Sequence, residues 1–342
     1  MKFENVRLHS YAYEEPELKI SSDEIETELA ELYERAKLPV GRLELQTGIK
    51  TRGYWPKGTA PSSIAAKAAE KILKNFDRTK VDLLIHASVC RDFLEPATAA
   101  QVHNLLKLSP ECMMFDLSNA CLGVLSSILV ASNMIERGAI KTALIVSGEN
   151  SGPLLLDTIH HLKTNPLIDR KSIKPFIASL TIGSAGVALL LTHSDLAPHS
   201  PKIVGGNTLT DSSAVDLCKG GGDTHTLTME TDSEALMIAG VKLAHTNWKK
   251  TSEILGWKNE DVNKIIPHQV GHIHRMNILT TLGLPTDRDF STFETFGNTG
   301  SAALPLTLFK AAEAQFFKPD DKVVLLGIGS GLTSTMLGVQ WK

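Results

Sequence analysis

The feature that most limits how this chain can fold is a spacing. Six short apolar runs read as buried strands: residues 81–89, 141–149, 186–193, 262–270, 321–329 and 334–341. Val81 and Val262 open matching runs 181 residues apart (262 − 81), and Lys141 and Lys322 stand at the same separation (322 − 141). The segment around Cys121 maps by that offset onto "GNTGSAALPL", with Ala302 opposite the cysteine (302 − 121). One offset for three elements predicts an internal duplication. Gly183-Ser184 and Gly329-Ser330 form a further pair, 146 apart (329 − 183), so the first copy is expected to hold about 35 extra residues (181 − 146). They would lie near 150–180, a polar stretch with Pro153, Pro166 and Pro175. Helical patterns between the strands make this an α/β chain, with parallel buried sheets expected. The copies are expected to span 1–193, with the insertion, and 194–342. Two similar halves would face their strand-end loops toward each other, where α/β folds place ligands.

Composition narrows the function classes. A chain of 342 residues that is 42% hydrophobic and 21% charged reads as a soluble globular protein with a sizeable core. Its net charge of −3 and pI near 6.5 lack the basic excess that nucleic acid or an anionic membrane surface rewards. There is no basic-then-apolar leader, and no apolar run reaches the roughly 18 to 20 residues of a membrane span. A cytoplasmic location is the expectation. Cys90, Cys112, Cys121 and Cys218 have no CxxC spacing, so they read as reduced thiols and not as a disulfide framework or a zinc site.

Four segments carry residue types suited to chemistry. After "MMFDLSNA", a strand or turn, the apolar positions Leu122, Leu125, Ile128, Leu129 and Ile135 repeat at helical spacing until Gly138. Cys121 then sits at a helix N-terminus, where free N–H groups and the helix dipole favour a thiolate nucleophile. On this stretch alone a buried structural cysteine fits as well. In "IIPHQVGHIHRMN" a strand ends at Pro267 and His268 occupies the exit turn, an address for an acid or hydrogen-bond donor. HxxxHxH with no acidic residue between its first two histidines argues against a metal site, and His272 and His274 read as side chains of the following helix. Asn298, in "TFGNTGSAALPL", is a turn residue or an amide donor facing the cysteine segment. "GIGSGLTS", residues 327–334, lacks the Lys-Ser/Thr of a P-loop and suits a backbone donor to an oxyanion.

"ACLG", "HQVG" and "GNTG", in that order, resemble the thiolase superfamily, and especially its ketoacyl synthase III branch, over essentially the whole chain. The resemblance implies a five-layered αβαβα fold of two similar halves and a homodimer. It also implies that Cys121 accepts an acyl group from a thioester, while His268 and Asn298 stabilise the enolate of a second substrate. Backbone N–H groups of Cys121 and Gly331 would form the oxyanion hole. In "SVCRDFLEPATAA" the residue before Pro96 is Glu95, where fatty-acid initiating synthases typically carry a bulky apolar residue. That makes the chain similar to OleA-type enzymes, which join two fatty acyl-CoA molecules head to head. There the resemblance implies that Glu95 crosses the dimer interface as the base removing an α proton, its pKa raised by an apolar channel. Arg52 and Trp55, in "TGIKTRGYW", look like the family's thioester mouth, with Arg52 pairing a coenzyme A phosphate. Coenzyme A enters only as the substrate thioester; no other cofactor is implied.

Gly271 stands where the initiating synthases usually carry Asn, a departure that weakens an acyl carrier protein dependent reading. The expectation is therefore a non-decarboxylative Claisen condensation of two acyl-CoA thioesters. The nearest rival is a decarboxylative 3-oxoacyl-[acyl-carrier-protein] synthase III using a malonyl carrier protein. Thioester hydrolysis and a non-catalytic assembly subunit are further alternatives.

Overall fold

The computed structural model describes residues 1–222 and 227–342. Nine strands join into one sheet: β1 (Val6–Glu14), β2 (Leu83–His86), β3 (Met113–Asp116), β4 (Thr142–Glu149), β5 (Ala185–His193), β6 (Lys202–Thr210), β7 (Lys264–Pro267), β8 (Lys322–Gly329) and β9 (Thr333–Gln340). The longer helices are α1 (Pro61–Leu73), α2 (Thr98–Leu106), α3 (Gly123–Glu136), α4 (Gly152–Thr164), α5 (Ser233–Leu255), α6 (His272–Leu282) and α7 (Ala303–Glu313). The strand order is β7-β8-β9-β6-β1-β5-β4-β2-β3. First-half strands fill one end and second-half strands the other. They meet where Arg7 of β1 pairs with Lys202 of β6, and residues just before β1 continue that seam through the Phe3 N–H to Val204 O bond (2.9 Å).

The period of two along each strand sorts side chains into layers. Leu83, Ile85, Ala143, Ile145, Val187 and Leu189 from the first half share one core with Val323, Leu325, Leu337 and Val339 from the second, and α3 and α7 lie inside it. The alternate residues Leu84, Leu144, Val146, Ala188 and Leu190 pack on α1 and α2. Ile265, Val324, Leu326 and Met336 pack on α5 and α6. The two halves of the sheet thus lie on either side of the central helices, giving helices, strands, helices, strands, helices: the five-layered αβαβα arrangement. Because α3 lies in the middle layer, Val124, Leu125, Ile128, Ala131 and Ile135 are all buried around it. Each such Leu or Ile contributes about 1.5–3 kcal/mol.

The sheet is mixed where the sequence suggested parallel. β2 pairs parallel with β3 and β4, and β7 with β8, but β4–β5, β8–β9, β9–β6 and both neighbours of β1 are antiparallel. Only Ser330, Gly331 and Leu332 separate β8 from β9, too few for a parallel crossover. The repeat also drifts. Ala87 N donates to Val146 O as His268 N donates to Leu326 O, so β2 and β7 differ by 181 (268 − 87) but β4 and β8 by 180 (326 − 146). Thr142 pairs with Thr192 and Lys322 with Gln340, which sets β5 and β9 148 apart (340 − 192). The first half therefore holds 32 extra residues (180 − 148) between these strands, including α4. Leu155, Ile159 and Leu162 of α4 pack on Ile25, Leu29 and Leu32.

Candidate active site

Cys121 lies one residue before Leu122, the N-cap of α3. Ala120 takes φ +45, a left-handed conformation tolerable here because the residue is small. Ser301, from the second half, grips the same turn: its Oγ donates to Ala120 O (2.6 Å) and accepts from Gly123 N (3.1 Å). The end of β8 runs alongside, since a Cβ placed on Gly329 would lie 3.6 Å from Cys121 N. Gly331 follows on that loop, half-buried, at φ +121. Burial pushes the Cys121 thiol up to about 12, with Glu149 and Cys218 acting in the same direction. The positive end of α3 opposes them. The sequence displayed the helix end that favours thiolate; it did not display these neighbours.

His268 extends β7 by one residue, its N–H donating to Leu326 O (2.9 Å). Gln269 is buried and pins the exit turn: Nε2 donates to Pro267 O (2.6 Å), and Oε1 accepts from Thr292 N (2.8 Å) and Phe293 N (3.1 Å). Those last two residues lead into the short helix Phe293–Phe296, which delivers Asn298. Burial, with His274 adding, lowers His268 to about 4, so the ring is neutral at pH 7. The Asn298 backbone is fixed by its N–H to Thr181 O (3.0 Å) and by Gly183 N to its carbonyl (2.9 Å). Its Oδ1 accepts from Gly300 N (3.1 Å). That bond turns the carboxamide so that its NH2 donors have no acceptor among the described residues.

Glu149, which no motif in the sequence marks, ends β4 beside these turns at 3% exposure. Its Oε1 accepts from Val89 N and Ser301 N (2.9 Å each) and its Oε2 from Cys90 N (3.2 Å). Burial raises its pKa on balance, and these donors pull the other way. The available signal was its address, a carboxylate at the exit of a largely apolar strand, the same kind of address that singled out His268.

Other expected site residues lie elsewhere. Glu95 is exposed, on a loop with Phe93 (55% exposed) and Leu94 (95%), and Cys121's charged neighbours do not include it. In the single chain it therefore occupies a surface and not an apolar channel. Arg52 and Trp55 correct the expected thioester mouth. The strand Thr51–Tyr54 pairs with Leu18–Ser21, and this pairing turns Arg52 inward. Arg52 is 0% exposed, its Nη2 donates to Ser22 Oγ (3.0 Å), and burial lowers it to about 10. It presents no guanidinium to a phosphate at the surface. Trp55 is buried too, with Nε1 donating to Glu149 O (3.1 Å).

Comparison with known proteins follows the same lines. Residues 115–158 match the 3-oxoacyl-[acyl-carrier-protein] synthase III family model, and residues 253–341 match the model of its C-terminal part. The chain is 36% identical to an acyl-CoA:acyl-CoA alkyltransferase of Shewanella oneidensis and 34% identical to one of Xanthomonas campestris, covering 100% of both partners each time. A β-ketoacyl-[acyl-carrier-protein] synthase III of Aliarcobacter butzleri is 30% identical, over 84% of this chain and 85% of that one. Among solved structures, a variant of Xanthomonas campestris OleA superposes at TM-score 0.95 with 33% identity, over 100% of this chain and 98% of that chain. Another, with bound lauric acid and lauroyl-CoA, gives TM-score 0.94 at 33% identity, over 99% and 100%.

Proposed function

Since the chain belongs to the ketoacyl synthase III branch of the thiolase superfamily, among its OleA-type members, we propose that it condenses two fatty acyl-CoA thioesters head to head, without decarboxylation. Full-length similarity to acyl-CoA:acyl-CoA alkyltransferases is the observation that carries this reading over the decarboxylative one.

In the first step the Cys121 sulfur attacks the thioester carbonyl of one acyl-CoA. The carbon–sulfur bond to coenzyme A breaks, the Cys121 proton leaves with the departing thiol, and an acyl-Cys121 thioester remains. The Cys121 and Gly331 N–H groups hold the oxyanion that forms on the way. In the second step Glu95 removes an α proton from the second acyl-CoA, and the enolate oxygen accepts from neutral His268 and from the Asn298 amide. The α carbon attacks the acyl-Cys121 carbonyl, the sulfur departs and regains a proton from Glu95, and a β-ketoacyl-CoA forms. A malonyl thioester would generate its carbanion by losing carbon dioxide; a plain acyl-CoA requires the base.

Glu95 serves a neighbouring subunit in this reading. The edge strand β3 exposes Met113 (52%) and Met114, and Val89, Phe93, Leu94 and Leu105 are exposed apolar residues of the segments around it. An uncovered strand edge with apolar surroundings supports a homodimer formed on this face. Four free cysteines suit a reducing cytoplasm, and among the described residues no helix is long and apolar enough to cross a membrane. Coenzyme A thioesters are the substrates, and an acyl carrier protein is not required.

The test is incubation with lauroyl-CoA alone, followed by mass spectrometry of protein and products. An adduct on Cys121 together with a doubled-chain β-keto product supports the proposal. An adduct that yields carbon–carbon bond formation only after a malonyl thioester is added overturns it.

A further inference from the structure

Glu149 takes no part in the steps above, yet the reacting loops converge on it. Val89 N and Cys90 N come from the exit of β2 and begin the loop that carries Glu95. Ser301 N comes from the turn that carries Asn298, and the same serine's Oγ holds the residues flanking Cys121. Gly300 takes φ +57, and a Cβ there would lie 2.8 Å from Glu149 Oε1, so this turn closes over the carboxylate only because position 300 is glycine. Trp55 fixes the Glu149 backbone from behind.

We propose that Glu149 is a positioning residue, whose anionic carboxylate locks the Asn298 turn, the Cys121 turn and the root of the Glu95 loop into one register across the two halves. The proposal rests on the condensation reading for its effect on turnover. Three N–H groups address the two oxygens, and an ionised carboxylate has only acceptors to offer them. A glutamine would keep one acceptor oxygen and turn an NH2 toward a backbone N–H, leaving that donor unpaired in the interior. Burial is the main reason the Cys121 thiol stays protonated, and the negative charge of Glu149 adds to it. The ionisable groups facing these two are Cys218, toward Cys121, and Cys90, toward Glu149.

The experiment uses full-length wild-type protein with Glu149→Gln and Glu149→Asp. Iodoacetamide labelling of Cys121 is followed by peptide mass spectrometry across a pH series, and lauroyl-CoA condensation is measured in parallel. Glu149→Gln is expected to shift the labelling curve to lower pH and to slow condensation by about 10²-fold, the scale of a small misplacement. Glu149→Asp keeps the charge and shortens the reach, so its labelling curve stays with wild type while kcat falls and KM changes little. A Glu149→Gln curve superimposed on wild type overturns the proposal, whatever the turnover. If that variant does not fold, wild-type turnover in Glu149→Asp overturns it instead. Should wild-type protein fail to condense lauroyl-CoA, the condensation reading falls while the labelling curves still decide the role of Glu149.

Discussion

The corresponding strands β2 and β7 both exit at a histidine, and the two rings stand in different surroundings. His86 is the last residue of β2 and His268 the first residue beyond β7. By the repeat offset His86 corresponds to Pro267 (86 + 181), so the two rings are one residue out of step, and one residue reverses the face of a strand. His86 turns away from the central helices, its Nδ1 3.7 Å from Asp116 Oδ1, while Asp116 accepts from Thr98 N and Ala99 N at the start of α2. His268 stands two residues after Ile266, which faces the core around the central helices, so strand alternation gives it that face. The central helices differ in the same way: α3 is preceded by Cys121, α7 by Ala302. A duplicated frame thus supplies matched addresses, and in the proposed reaction single side chains decide which address holds the nucleophile and which the donors.

That contrast can be broken most severely at Cys121. Cys121→Ala is expected to abolish the acyl adduct and lower condensation by about 10⁴-fold or more, measured by intact-protein mass spectrometry and product analysis. Glu95→Gln should reduce non-decarboxylative condensation by about 10²–10⁴-fold with the adduct still forming. His268→Ala and Asn298→Ala should each cost about 10²–10³-fold in condensation while acylation of Cys121 persists. Equal loss of both half-reactions would erase the division between the halves.

The pH dependence sharpens the comparison of the two histidines. Burial lowers both His86 and His268 to about 4, below the ordinary histidine value of 6.5. Between those values the unfolded chain binds protons that the folded chain refuses, so stability is fully present above about 6.5 and declines as pH falls toward 4. Thermal unfolding across that window should show the decline, and His86→Gln should make it shallower without moving the pH profile of condensation. The smallest effect is expected at Gly327, whose counterpart in the first half is Ser147 (327 − 180). A Cβ at 327 would lie 2.6 Å from Leu122 Cδ2 and 2.8 Å from Leu125 Cδ2. Gly327→Ala should cost about 1–3 kcal/mol, seen in denaturant unfolding, because α3 must shift off β8.

Much of this was legible in the chain. The six apolar runs became β2, β4, β5, β7, β8 and β9, since continuous apolar stretches bury on both faces wherever they lie. β1, "VRLHSYAYE", and β6, "KIVGGNTLT", were not, because half-buried polar positions and paired glycines dilute the signal on the two strands that join the halves. At the site, Cys121, His268 and Asn298 announce themselves by small neighbours and turn chemistry. Glu149 and Ser301 do not, since their importance lies in contacts made over 152 residues of sequence. Arg52 misled for a related reason: its charge suggested a surface, and only the pairing of Thr51–Tyr54 with Leu18–Ser21 reveals that it faces inward.

The seam strand carries a consequence for synthesis. β1 is made before the other eight strands, yet its Val6 pairs with His193 and its Arg7 with Lys202. A further 187 residues (193 − 6) must be made before the first of these partners exists, and contacts so distant in sequence slow folding and leave apolar edges open meanwhile. Nascent chains of this protein are therefore expected to need shielding by a chaperone until β5 and β6 emerge. Of the nine strands, β1 waits longest in sequence for its partners.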